Sequence, residues 1–377
     1  KNWYFNQTEL VVTENASKVL KLLQEGKHLL SSDDKNLLLN SIYHSLKVRF
    51  PTASPTLTNN QIQAQFDAAQ QCKEFLIKHV GAFLISPERW GQGISKVMIY
   101  NLRDVGIRKV WLGFDNWMPA FFPPKIIEEA KQAGFLVGTY DSYNTAIAPG
   151  VNDAWLTAQL PEIMRNNCGI IKANGDTEEG FNGNGVYLNP ACHQSYVRQR
   201  IEDILKFGGF NSLFLDVDGT AMTREDYRPW ELCPKGMNEN QMLDAFNDRL
   251  KWIGNKQNIL LGTEDGNSLT TEGVTFAHGM ETVGFGWTDP DMNYNNNSPY
   301  FLGGWYPENK PAFFFSKTKV KPLYKRLFFS PQFRVPLYQT VFHDVIVNNH
   351  HWHMDSMKLS NVQNQRDLIP CFTIHQQ

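Results

Sequence analysis

Short apolar runs alternate with amphipathic runs from about residue 81 to about residue 345, and run after run stops at a polar or acidic residue. The strand-like runs are "GAFLIS" (81–86), "KVWLGF" (109–114), "FLVGTY" (135–140), "SLFLDVDG" from Ser212 and "NILLGTEDG" from Asn258. "VTFAHGMETVG", "PAFFFS" and "PLYQTVFHDV" follow them. Helix-like runs such as "KIIEEAKQAG", "SYVRQRIEDILKFGG" and "NQMLDAFNDRLKWIGN" stand between several of them. Strands alternating with helices imply a parallel sheet. Roughly eight strand candidates suit a (β/α)8 TIM-type barrel, and a doubly wound open sheet is the alternative. The expected organisation is a helical N-terminal lead-in over residues 1–75 and a catalytic barrel over residues 76–377. "ENASKVLKLLQEGKHLL" and "SDDKNLLLNSIYHSL" carry the helical periodicity of the lead-in.

Barrel enzymes place their chemistry at the C-terminal ends of the strands. The candidate strands end at Asp115 with Asn116, Asp141 with Tyr143, Asp216 with Asp218, Glu264 with Asp265, His278 with Glu281, and His343 with Asp344. Any one of these could be an Asp capping the next helix, but the series argues for a site. The long stretch over about 145–192, rich in Asn and Gly, reads as a loop over that site.

"FLDVDGTAM" admits two chemistries. D-x-D-G-T resembles the opening motif of haloacid-dehalogenase-type, Mg²⁺-dependent phosphatases. That motif belongs on the first strand of the core, and here three strand–helix units precede it. Glu264 with Asp265 also follows too soon to leave room for that family's intervening motifs. A glycosidase instead needs two carboxyl groups flanking one bond, about 5–5.5 Å apart in retaining enzymes. Asp216 and Glu264 end consecutive strand candidates, and neighbouring strands lie about 4.8 Å apart. Asp218 shares a face with Asp216 if the strand continues, because the strand period is two, so it is the second choice for nucleophile.

With these motifs in view, residues from about 80 to 355 resemble the glycoside-hydrolase barrel of the endo-α-N-acetylgalactosaminidase group and the related bacterial α-N-acetylgalactosaminidases. In that group an Asp nucleophile follows an apolar run on the fourth strand, and the acid/base Glu ends the fifth. "SLFLDVD" and "ILLGTED" take those places, and "VGTYDSYN" and "VPLYQTVFHDV" resemble substrate-contacting strand ends. The resemblance implies a retaining hydrolase of α-linked GalNAc or galactose-type sugars, with Asp216 as nucleophile and Glu264 as acid/base.

Sugar contacts are then expected from Asp141 and Tyr143, from a wall of Asp115, Asn116 and Trp117, and from His343 and Asp344. Trp287 would cover the sugar from a loop, while Glu281 either binds a hydroxyl or carries structure. The 10 Trp, 13 Tyr and 25 Phe fit an oligosaccharide or glycoconjugate partner, since sugar C–H faces lie on aromatic rings. A non-catalytic carbohydrate-binding barrel would show the same aromatics.

The formal net charge of −2 lacks the basic surplus of a nucleic-acid binder, and no membrane span is expected. No cofactor or metal is expected either. The His-rich "NNHHWHMD" reads as a turn or loop rim. Five scattered Cys suggest neither a zinc site nor a dense disulfide framework. No signal peptide is visible. A chain beginning at Lys1 is compatible with one that has lost an export leader, which would place it in the periplasm or outside the cell.

Overall fold

The computed structural model describes residues 2–5, 8–11, 18, 21, 33, 37, 61–80, 94–121, 124–152, 155–229, 235–256, 259–264, 267–280, 289–301, 317–329, 347–350 and 360–361. The expected strands at 81–86, 311–316 and 336–345 lie outside these residues, as do most of the helical runs expected between 14 and 46.

The chain forms two compact units. One comprises Lys1–Val137, Gln159–Pro161 and Ser195–Phe210, and the other Gly138–Ala158, Glu162–Gln194 and Asn211–Gln377. The first opens on an antiparallel hairpin of β1 (Asn2–Phe5) and β2 (Thr8–Val11), in a lead-in expected to be helical. Helices α1 (Gln61–Val80) and α2 (Lys96–Asp104) follow. The Ser95 hydroxyl caps α2 by accepting from Met98 N–H at 3.2 Å. Strand β3 (Trp111–Phe114) leads to α3 (Pro124–Gln132), which buries Ile126, Ile127 and Ala130 on one side. Strand β4 (Leu136–Asp141) begins in this unit, beside the end of the run "KV": the Leu136 N–H donates to the Val110 carbonyl at 2.9 Å.

In the second unit β5 (Thr145–Ala146) and β6 (Val186–Tyr187) form an antiparallel pair, and five parallel strands stand in the order β10 (Val347–His350), β9 (Phe276–Met280), β8 (Leu260–Glu264), β7 (Ser212–Leu215), β4. Neighbours in space from β4 to β10 follow chain order, without the order reversal of a doubly wound sheet. Helix α4 (Gln194–Gly208) precedes β7 in the chain, and α5 (Glu239–Gly254) precedes β8. This is an α/β fold with a parallel sheet. Of the run "NNHHWHMD", expected as a turn or loop rim, Asn348–His350 belong instead to strand β10, paired in parallel with β9, and the rest lies outside the described residues.

Strand β7 buries all four residues, as a parallel strand covered on both faces must. The α5 N-terminus carries a capping box in which Asn238 and Gln241 satisfy each other's N–H groups. The buried stripe of α5 is Met242, Ala245, Phe246, Arg249, Leu250 and Ile253, so one cation sits in an otherwise apolar row.

Register places Tyr140, Phe214, Gly262 and Phe276 side by side across β4, β7, β8 and β9. The Tyr140 and Phe214 rings stack with centroids 6.2 Å apart, and Phe214 and Phe276 lie 6.5 Å apart. Phe276 reaches over Gly262: a Cβ there would come within 2.2 Å of its ring. Gly262→Ala is therefore expected to push the ring out of the row and cost about 1–3 kcal/mol, the usual range for overpacking. A thermal melt checks this, and an unchanged Tm would contradict it.

Candidate active site

Glu264 lies two residues beyond Gly262 on β8 and so on the face of this row, and Asp216 directly follows β7, its N–H donating to the Asp141 carbonyl at 3.1 Å. Leu215 pairs with Thr263, so the two carboxyls follow paired residues at the ends of adjacent parallel strands. Asp216 accepts a hydrogen bond from the Tyr140 hydroxyl at 2.5 Å. It also hydrogen-bonds the Glu264 carboxyl, a contact that favours the Asp216 anion and that a bound glycoside would open to reach the separation of a retaining pair. Burial above the rings pushes the Asp216 carboxyl up from its ordinary value, against the pull of these two bonds. Burial and the Asp216 charge push the Tyr140 phenol well up, so it stays a neutral donor. The Trp155 side chain, from the stretch read as a loop, hydrogen-bonds the Tyr140 hydroxyl.

Tyr140→Phe removes a bond that favours the Asp216 anion. The acid limb of kcat/KM is then expected to move to higher pH. Loss of one bond to a charged group, about 1.5–3 kcal/mol, would lower kcat/KM by roughly tenfold to a hundredfold. A pH–rate profile of the variant checks both, and an unmoved limb would contradict the contact's role.

Asp141 pairs with Leu215 in register, which turns it away from the face that Asp216 uses. Its carboxylate is fully buried and accepts from the Tyr143 hydroxyl at 2.5 Å and the Ser142 N–H at 2.9 Å. Asp218 does not share the Asp216 face, because the strand ends at Leu215. The chain turns at Val217, and the buried Asp218 carboxylate accepts from Arg249 at 2.9 Å. Asp141, Tyr143, Asp218 and Arg249 form a group in which the Asp141 and Asp218 charges oppose each other and Arg249 lies 5.4 Å from the Tyr143 ring.

The expected wall lies in the first unit. Asp115 is exposed, and Asn116 accepts from the Met118 N–H at 3.0 Å as the chain enters the short helix Met118–Phe121. Trp117, expected as a stacking platform, is fully buried with Arg200 4.6 Å over its ring and Gln65 on its indole N–H, so it offers no open face. Glu281, Trp287, His343 and Asp344 lie outside the described residues.

Tyr140, Trp155 and Arg249 were not singled out from sequence as site residues. Tyr140 was overlooked in favour of its neighbour Asp141; only the β4–β7 register tells which of them faces Asp216. Arg249 carries the clearer signal, a cation in the apolar stripe of an amphipathic helix. Among the cysteines, Cys168 and Cys192 are joined by a disulfide that the scattered spacing did not suggest.

Residues 101–373 match the family model described as glycosyl hydrolases related to GH101 family, GH129, and the chain belongs to that family. Two solved structures of α-N-acetylgalactosaminidase NagBb from Bifidobacterium bifidum are similar to it. The GalNAc complex is 19% identical with a TM-score of 0.40, covering 67% of this chain and 36% of that one. The Gal-NHAc-DNJ complex is 15% identical with a TM-score of 0.44, covering 74% and 45%. The glycoside hydrolase domain of PelA from Pseudomonas aeruginosa is 13% identical with a TM-score of 0.31, covering 45% and 58%. The chain thus spans less than half the length of the NagBb chains it matches. No curated protein matches the chain. Family membership disfavours the phosphatase reading of D-x-D-G-T, and so does the engagement of Asp218 by Arg249. No helix among the described residues is long and apolar enough to cross a membrane.

Proposed function

We propose that the chain hydrolyses α-linked GalNAc or galactose-type glycosides with retention of configuration. Asp216 attacks the anomeric carbon and Glu264 protonates the leaving oxygen. Glu264 then takes a proton from the water that releases the sugar. The observation that carries the reading is the placement of these two carboxyls, each following a paired residue at the ends of adjacent parallel strands and within hydrogen-bonding reach of the other. The family match and the likeness of "SLFLDVD" and "ILLGTED" to the strand ends of α-N-acetylgalactosaminidases support the substrate class.

Under this reading the aromatic row is an apolar floor that keeps water from the carboxyls. Tyr140 steadies the nucleophile, and Trp155 borders it. Asp141 and Tyr143 shape the wall behind. Asp115, Asn116, Glu281, Trp287, His343 and Asp344 remain proposed sugar contacts. The parallel sheet would close as a (β/α)8 barrel, a fold whose chemistry lies at the C-terminal ends of its strands.

Nitrophenol release from a panel of aryl glycosides, set beside the aryl phosphate with Mg²⁺, tests the reading. Turnover of the α-GalNAc or α-galactosyl substrate without added metal supports it. Cleavage of the phosphate alone would overturn it, and silence on every glycoside would favour a binding barrel.

A further inference from the structure

The turn that carries Asp216 is held in an uncommon conformation. Val217 has φ +66° and Ala221 φ +58°, and a β-branched residue in this region is strained. The Asp218 N–H donates to the Asp216 carbonyl at 2.8 Å, which closes a tight turn around Val217. Strain of this kind persists only where surrounding contacts impose it.

Those contacts are specific. The Thr220 N–H and hydroxyl both donate to the Val217 carbonyl, at 2.8 and 2.7 Å. The Gly219 N–H donates to the Thr263 hydroxyl at 2.9 Å, and the Thr270 hydroxyl donates to the Gly219 carbonyl at 2.5 Å. A Cβ on Gly219 would come within 2.2 Å of the Thr263 side chain, so the turn sits directly against β8 just before Glu264.

The remaining anchor is Asp218. It is 1% exposed and turned toward α5, where Arg249 donates to it from one arm at 2.9 Å. The other arm of Arg249 donates to the Pro190 carbonyl at 2.8 Å. Among the described residues, one Asp218 oxygen and the Arg249 Nε have no hydrogen-bond partner. A buried ion pair so incompletely satisfied is poor evidence of a gain in stability, because apolar side chains of similar size commonly serve as well. What it does supply is a fixed direction for the turn.

We propose that Arg249 is a positioning residue that acts through Asp218 to lock the Asp216–Gly219 turn and so aims the Asp216 carboxylate beside Glu264. The inference rests on Asp216 being the nucleophile, and it adds a helix residue away from the reacting atoms to the machinery.

Opposite charges give the pair a signature that simple loss of structure lacks. Among the described residues, the titratable groups facing Asp216 are Tyr140 from β4, Glu264 from β8 and Asp218 from its own turn. Asp218 in turn faces Arg249 and Asp141. D218N removes a negative charge beside Asp216 and leaves Arg249 in place, so the acid limb of kcat/KM moves to lower pH. R249Q removes the positive charge, so the limb moves to higher pH.

The experiment measures kcat, KM and pH profiles of D216N, D218N, R249Q and D218N/R249Q on an aryl α-GalNAc glycoside. D218N and R249Q should each lower kcat by roughly 10- to 100-fold with KM changed far less, as expected for a misplaced reacting group. Their limbs should move in opposite directions. The double variant should return the limb toward wild type and lose no more kcat than the worse single variant, because both act through one contact.

Full kcat in D218N and R249Q, or limbs that do not move apart, would overturn the proposal. If R249Q does not fold, R249K takes its place. R249K keeps the charge but not the two-armed geometry, so it should lower kcat with the limb unmoved, and undiminished kcat would overturn the proposal. Wild-type turnover by D216N would instead overturn the nucleophile assignment itself, which separates the two failures.

Discussion

Asp216→Asn is expected to lower turnover of an aryl α-GalNAc glycoside by on the order of 10⁴-fold or more, the scale seen when an enzymatic nucleophile is removed. The substitution keeps the shape of the side chain and an oxygen for the Tyr140 hydroxyl. It removes only the negative charge that would attack the anomeric carbon. Because Asp216 is held above its ordinary value by burial, loss of that charge also relieves a desolvation cost. The variant should therefore melt at or above the wild-type temperature while being inactive. Loss of activity together with a lowered Tm would point to a structural role, and retained activity would remove Asp216 from the mechanism.

The raised Asp216 value also fixes the sign of the pH dependence. The nucleophile works as the anion, so turnover falls as pH drops through its folded-state value. That fall should come at a higher pH than for an unperturbed carboxylate, whose usual value is near 4.

Glu264→Gln is the second large effect, and it should depend on the leaving group. Glu264 stands beside Asp216 at the end of the next strand, and in the proposed mechanism its proton goes to the departing oxygen. General-acid catalysis contributes roughly 10²- to 10⁴-fold. That loss should be full for a poor leaving group such as a sugar or serine hydroxyl. It should shrink for dinitrophenol, which departs without a proton. For such activated substrates the slow step becomes attack by water on the glycosyl-enzyme, and a small anion such as azide should restore turnover. An equal loss on all leaving groups, with no azide effect, would take the acid role away from Glu264.

The alternation of apolar and amphipathic runs carried the parallel sheet, and the runs over 109–114, 135–140, 212–215 and 260–264 contain strands of the structure. Local pattern could say where a strand lies but not which residues share a face across strands. Asp141 and Tyr140 look equally placed at the end of "VGTYD", and only the pairing of Tyr140 with Phe214 decides between them. Nor could pattern show that β7 ends at Leu215, since "FLDVDG" continues its alternation on paper while Val217 turns the chain.

Contacts distant in sequence were equally hidden. Trp117 looked like an open platform beside two polar residues, yet Gln65 and Arg200 close over it. The strand "VNNH" is short and weakly apolar, and tertiary pairing outweighs such a local signal.

The most direct measurement is to trap the glycosyl-enzyme with a 5-fluoro α-GalNAc fluoride, a substrate analogue that loads the nucleophile faster than water releases it. Digestion and peptide mass spectrometry then locate the label. A label on Asp216 is the predicted result. A label on Asp218, or turnover that inverts the anomeric centre with no labelled peptide, would contradict the account.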